Sequence, residues 1–176
     1  MKTKDKSARE RIVDAANGLF YREGIRAVSV DSVAERAGVT KKTLYYHFDS
    51  KDALIAEYLS SRDQPNLLLY EEWFNTATGT AADKVEAIFL RLAQAAHHPK
   101  WQGCGFLRTS AELANQPWQP ALRFGAAHKK KFEGWLAEQL KDFGSTDPDA
   151  ISRQVVLLMD GAFSTMLVHR DPTYIE

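Results

Sequence analysis

Two lysines, a threonine, two tyrosines and a histidine crowd into the seven residues Lys41–His47 (KKTLYYH), and no carboxylate lies from Val39 to Phe48. Ammonium and hydroxyl groups can hold phosphate oxygens, and hydroxyls, amines and aromatic rings can read base edges. Stepping about 100° per residue from Leu44 along a helix places Lys42 and Tyr46 opposite the core face, with Thr43 and Tyr45 flanking them. Leu44 and Phe48, four apart, point back toward a core. A solvated face of a small bundle would also be polar, but two adjacent exposed tyrosines suit that purpose poorly.

A surface of this kind needs elements that hold it still. Between Ser29 and Lys51 the chain reads SVDSVAERAGVTKKTLYYHFDSK, which has the grammar of a helix-turn-helix. Val33 and Ala34 face inward on a short first helix, and Ala34 is small enough to admit a second backbone. Gly38 supplies the positive φ of the turn, Val39 plugs it, and Thr40 caps the second helix through an orphan N–H. Asp49-Ser50-Lys51-Asp52 opens a further helix.

Composition bounds the rest. The 176 residues carry no net charge, but the charge is divided. Residues 1–51 hold eleven Lys/Arg against seven Asp/Glu, and residues 52–176 hold twelve against sixteen. A basic head on an acidic body is expected where only one end meets phosphate. The lone Cys104 excludes an intrachain disulfide and fits a reducing compartment. The N-terminus lacks the apolar stretch of a secretory signal, and no apolar run approaches a membrane span, so a cytoplasmic location is expected.

Helical periodicity recurs throughout and strand alternation is scarce, which predicts an all-α fold. A first helix is expected from about Ser7 to Glu23, with Ile12, Ala16, Leu19 and Phe20 inward. Lys4, Lys6, Arg9 and Arg11 crowd its start, where cations oppose the helix dipole unless phosphate lies nearby. Pro65 is expected to kink or interrupt the helix that begins near Lys51. Further helices are expected near Ala82–His97, with Val85, Phe89, Leu92 and Ala96 inward, and Phe106–Asn115. Another is expected near Ala121–Phe143, with Phe132, Trp135, Leu136, Leu140 and Phe143 inward. The last, opening at Asp147-Pro148 and running to about His169, is apolar nearly all round, so a second subunit is the simplest cover for part of it. Trp135, Leu136, Gln139, Val155, Met159, Ala162 and Met166 are the residues expected at that contact. Lys129–Lys131 reads as a solvated face.

With these residues in place, the chain resembles the TetR family of transcriptional regulators. Ala15, Phe20, Gly24, Ala34, Gly38, Val39, Leu44, Tyr45, Phe48 and Lys51 carry the resemblance, and GCGFLRTSAELA (Gly103 to Ala114) is similar to a segment common in such regulators. The resemblance implies a three-helix helix-turn-helix DNA-binding domain, here 1–50, and a larger helical ligand-binding and dimerisation domain, here 51–176. It implies a homodimer on a pseudo-palindromic double-stranded operator, released when a small-molecule effector binds. Lys41, Lys42, Thr43, Tyr45 and His47 would form the reading surface, joined by Thr40 and the outward Tyr46. Lys51 would hold a phosphate, and Ser29 would cap a helix or contact phosphate.

The effector is poorly specified. Tyr70, Trp73, Phe74, Phe89, Phe124 and Phe163 could line an apolar pocket, and Arg108 and His128 could orient a polar group. Each is more often structural than ligand-facing. Cys104 could sense oxidants, though a lone cysteine is more often an inert small hydrophobe. Neither a metal nor a cofactor is expected: His97 and His98 point in different directions on a helix, and no ligand spacing accompanies them. The chain shows no Gly-rich phosphate loop, nucleophile elbow or H-E-x-x-H, so no enzyme is expected. A regulator of the same fold answering to a protein partner, or to no small molecule, is the alternative.

Overall fold

A computed structural model describes residues 6–175 of the chain. The described residues form eight α-helices and one 3-10 turn, with no strand. They divide into two compact units. The first comprises the chain up to Arg62 together with Arg108–Gly125, and the second comprises Asp63–Leu107 and the chain from Ala126 onward.

The first unit begins with α1 (Ala8–Glu23), α2 (Val30–Ala37) and α3 (Lys41–His47). Ser7 caps α1 in a capping box with Glu10: its hydroxyl accepts the Glu10 N–H, and the Glu10 carboxylate accepts the Ser7 N–H. Ile12, Ala16, Leu19 and Phe20 are buried, as their spacing predicts. They meet Val33 and Ala34 of α2, Leu44 of α3 and the buried face of α4 (Lys51–Thr76), which includes Leu54, Ile55, Tyr58 and Leu59. Phe20 and Tyr58 pack edge to face at 5.7 Å.

Pro65 does not stop α4, which is helical without interruption through Lys51–Thr76. Of the expected kink or interruption, the interruption is absent. Proline removes one N–H and crowds the Ser61 carbonyl, but Pro65 lies on an exposed face where that carbonyl can be hydrated.

The second unit contains α5 (Ala81–Ala96), most of α7 (Pro120–Asp142), and α8 (Pro148–His169) followed by the 3-10 turn Pro172–Tyr174. The short α6 (Gly105–Glu112) contributes its first turn here and its last residues to the first unit. An aromatic cluster fills the interior. Tyr70 meets Phe132 edge to face at 5.2 Å, and Phe74 meets Trp135 at 5.3 Å. The inward stripe of α5 is Ile88, Leu92, Ala93 and Ala96. Val85 and Phe89 are only half-buried and line a groove of about 540 Å³ with Leu140, Phe143, Ile151 and Val155. Phe143, expected inside, is largely exposed there.

Helix α8 buries Val155, Val156, Met159, Phe163 and Met166 and leaves Leu157, Leu158 and Val168 exposed. By length and composition it could cross a membrane, with a mean hydropathy of 1.3 over its most apolar window, which corrects the expectation that no segment approaches that length. The lysine run is not simply solvated either. Lys129 pairs with Asp160 and sits 5.4 Å over the Phe163 ring, Lys130 pairs with Glu133 at 2.9 Å, and Lys131 pairs with Asp63.

Candidate nucleic-acid interface

Capping and turn chemistry fix the position of α3. The Ser29 hydroxyl accepts the Ser32 N–H at 3.0 Å and starts α2. Gly38, at φ 65° and ψ 40°, ends it in the left-handed conformation that glycine reaches without steric cost. Val39 N–H returns to the Ala34 carbonyl at 3.0 Å, closing the turn. Thr40 Oγ1 accepts the Thr43 N–H at 3.1 Å and opens α3. An isolated helix of seven residues would not persist in water. Leu44, fully buried, and Phe48, nearly so, anchor it.

That anchoring turns the polar side outward. Tyr46 is 84% exposed and its ring meets His47 edge to face at 5.1 Å. Tyr45 and Lys42 are exposed, while Thr43 and His47 are half-buried. Lys41 differs from its neighbours. Its ammonium donates to Asp31 of α2 at 3.0 Å, and that hydrogen bond holds its pKa above the ordinary lysine value. The stretch Val39–Phe48 has no acid of its own, but the turn brings Asp31 alongside it. An exposed pair of this sort is readily exchanged for a phosphate.

Ser50 caps α4 by accepting the Ala53 N–H at 3.1 Å, and Lys51 is its first residue. Burial pushes the Lys51 ammonium below its ordinary pKa, against the pull of Glu112 and Asp52. A cation and a helix N-terminus together make an anion site.

The described cations at the start of α1 have partners within the chain. Lys6 pairs with Asp14, and Arg9 pairs with Glu57 at 2.9 Å and lies over the Phe48 ring. Arg11 donates to the Ala37 carbonyl at 3.1 Å, tying α1 to the end of α2. Lys4 lies outside the described residues.

Sequence reasoning missed one group of side chains in this unit. Arg108 donates to the Tyr21 carbonyl, Glu112 accepts two backbone N–H groups, and Asn115 accepts from Arg26. Arg108 and Glu112, four apart, share one face of α6, and Asn115 lies in the turn that follows, but nothing local reveals partners some 87 residues earlier. Arg108, considered above for effector binding, is committed here to a backbone carbonyl, and Phe124 belongs to this unit as an exposed ring.

The other effector candidates lie in the second unit. Tyr70, Phe74, Cys104 and Phe163 are buried, and Trp73 is half-buried beside Tyr70. Phe89 alone of that set lines the 540 Å³ groove. His128 is buried, stacked 4.0 Å from Phe106, with Nδ1 2.8 Å from Asp63 Oδ1. Burial lowers the imidazole pKa from its ordinary 6.5 despite the opposing hydrogen bond to Asp63. The neutral ring therefore donates Nδ1–H to the carboxylate. Burial pushes Asp63 up, but hydrogen bonds from Lys131 and His128 outweigh it and hold the group below the usual carboxylate range.

A pH dependence follows. As pH falls through about 6.5, the unfolded chain takes up the imidazole proton before the folded chain does. The His128 contribution is thus full above that pH and lost below it. Asp63 adds a second loss below the ordinary carboxylate pKa, 3.8. Denaturant melts of the wild type should lose stability as pH falls below about 6.5. The His128→Phe protein, which keeps an aromatic stack, should show a flatter curve over the same interval; identical slopes would refute the assignment.

The residue types expected to meet a partner chain divide as well. Leu136, Val155, Met159 and Met166 are buried within the chain's own second unit, whereas Trp135, Gln139 and Ala162 are half-buried. A side chain already covered by its own protomer has little surface left to offer.

Known proteins resemble the chain in these same features. Residues 12–58 match the family model described as bacterial regulatory proteins, tetR family. The HTH-type transcriptional regulator TtgW of Pseudomonas putida, itself uncharacterised, is 33% identical over 95 residues, which span 54% of this chain and 67% of that protein. The HTH-type transcriptional repressor KstR2 of Mycolicibacterium smegmatis is 31% identical over 113 residues, spanning 63% of this chain and 54% of that one. The matched segments thus cover about half to two thirds of these curated relatives. Coverage is greater for SCO4454, a TetR-family transcriptional regulator from Streptomyces coelicolor of known crystal structure. It is 33% identical, with a TM-score of 0.81 over 96% of this chain and 87% of that one. Relatives at this identity and coverage, with the matching family model over the helix-turn-helix, make the chain a transcriptional regulator of the TetR family.

Proposed function

We propose that this regulator is a homodimeric repressor whose two copies of α3 enter successive major grooves of a pseudo-palindromic operator, and that a small-molecule ligand releases it. Residues 1–50 read DNA, and residues 51–176 hold the ligand and the dimer contact. The observation that carries the reading is the outward side of α3: Lys42, Tyr45 and Tyr46 stand in solvent while Leu44 and Phe48 hold the helix from behind. Lys51 at the N-terminus of α4 supplies a phosphate contact. A cytoplasmic location accords with DNA as the target.

Release follows from geometry. Two recognition helices on one face of B-DNA must sit about 34–36 Å apart. A ligand that favours a body with another spacing shifts the population away from the DNA-competent form, and operator DNA must weaken that ligand by the same factor. The apolar groove of about 540 Å³ beside Phe89 and Phe143 is large enough for a small organic effector.

Selection of bound sequences from random duplex DNA tests the reading directly. A two-fold symmetric consensus is expected. The Lys51→Ala protein should bind that consensus more weakly, with a salt slope lower by about one. Recovery of no consensus would refute sequence-specific binding, and an unchanged affinity and slope would remove Lys51 from the interface. Thermal shifts with candidate effectors, repeated with operator present, test release.

A further inference from the structure

Glu112 is the last residue of α6, the end of a helix where the dipole disfavours a negative charge. Its position is explained by what its two oxygens hold. Oε1 accepts the Ile25 N–H at 3.2 Å and Oε2 accepts the Arg26 N–H at 2.9 Å. These consecutive backbone donors follow Gly24, whose φ of 86° turns them toward the carboxylate. A Cβ on Gly24 would stand 2.8 Å from Oε1. Two further ties run between the same segments: Arg108 to the Tyr21 carbonyl, and Arg26 to Asn115 Oδ1 at 2.8 Å.

The segment so held leads directly into the reading helices. Ile25 and Val28 are buried, Ser29 caps α2, and the Gly38 turn sets α3 from α2. Fixing the Ile25 and Arg26 N–H groups therefore fixes the entry angle of α2, and with it the direction of Tyr46 and Lys42. Charge-assisted hydrogen bonds to paired backbone donors are strong and directional enough for this.

We infer that Glu112 is a positioning residue for DNA recognition: its carboxylate fills the anion nest of the α1–α2 turn and sets the pitch of the reading helices without touching DNA. The inference rests on the DNA-binding reading of α3.

The test uses the full chain and the duplex recovered by selection. Glu112→Gln keeps the shape but turns one acceptor into a donor, so it cannot serve both N–H groups. Affinity for the selected duplex should fall about tenfold, the scale of one charged hydrogen bond. Affinity for scrambled duplex should not fall and the salt slope should not drop, because no phosphate contact is lost and the change removes a negative charge that acts on Lys51. Amide exchange at Ile25 and Arg26 should quicken while Leu44 stays protected, which checks that the head remains folded. Specific affinity within twofold of wild type would overturn the inference. So would equal losses on selected and scrambled duplex, or loss of protection at Leu44, either of which marks Glu112 as generally structural. If the wild type itself shows no preference among duplexes, the DNA reading has failed, and that failure is visible before any variant is made.

Discussion

Leu44→Ala and Tyr46→Ala are expected to abolish or weaken DNA binding in opposite ways. Leu44 has no exposed surface, and it is the only residue of α3 that is buried. Truncating a buried leucine costs roughly 3 kcal/mol, combining lost transfer energy with the cavity left behind. The cost falls on a seven-residue helix with no independent stability. Circular dichroism and amide exchange should show loss of protection spreading from α3 through the packed faces of α1 and α2, and DNA binding should fail in consequence. Tyr46, two residues on, is 84% exposed, and its ring meets the neighbouring His47 ring edge to face. Its removal from so exposed a position should leave the melting curve within about 0.5 kcal/mol of wild type. Affinity for the selected duplex should still drop by about tenfold or more, the scale of one base-directed contact. A Tyr46→Ala protein that binds its operator normally would show that α3 presents its face to something other than base edges. A Leu44→Ala protein with unaltered melting would contradict the anchoring of α3.

The contrast between these two residues reflects what was legible in the sequence. The helix-turn-helix could be read because its determinants are local. Ser7, Ser29 and Thr40 each cap the helix that follows them, Gly38 closes its own turn, and Leu44 and Phe48 are one helical turn apart. The resemblance to the TetR family rests on the same short-range pattern. What could not be read depends on distant partners. Asp31 reaches Lys41 only because the turn folds α2 beside α3. His128 is buried because Asp63, 65 residues away, and the ring of Phe106 satisfy it. Nothing near His128 in the sequence distinguishes it from an exposed histidine. Arg9 and Arg11 looked available for phosphate until Glu57 and the Ala37 carbonyl were found to occupy them. Pro65 shows the limit of a local rule: proline in a helix interior predicts a kink or an interruption, and the 26-residue α4 runs through an exposed Pro65 without interruption.

Leu158→Glu should separate the dimer while leaving each chain folded. Leu157 and Leu158 are 67% and 65% exposed on α8, and Val168 is 77% exposed. Gly161 falls between them at helical spacing, and an added Cβ there would meet nothing within 4 Å beyond its chain neighbours and the local backbone of its own helix. Glycine inside an exposed helix costs about 1 kcal/mol relative to alanine, a cost with no return in an isolated protomer. A second helix lying against Leu157, Leu158 and Val168 would explain both the uncovered leucines and the missing methyl, because close approach favours the smallest residue at the crossing. Because Leu158 is already solvent-facing within its own chain, glutamate there should leave the helical signal and protomer stability nearly unchanged. In the dimer it would bury two like charges, and sedimentation should show monomers at concentrations where the wild type is paired. Two unlinked reading heads lose the advantage of effective concentration, so operator affinity should fall by about 10² to 10⁴, while the affinity of one head for a half-site persists. Gly161→Ala sharpens the argument: it should stabilise a monomer through helix propensity but weaken a dimer packed at that point. If Leu158→Glu remains paired and Gly161→Ala only stabilises, the two copies meet elsewhere and the exposed face of α8 is not their contact.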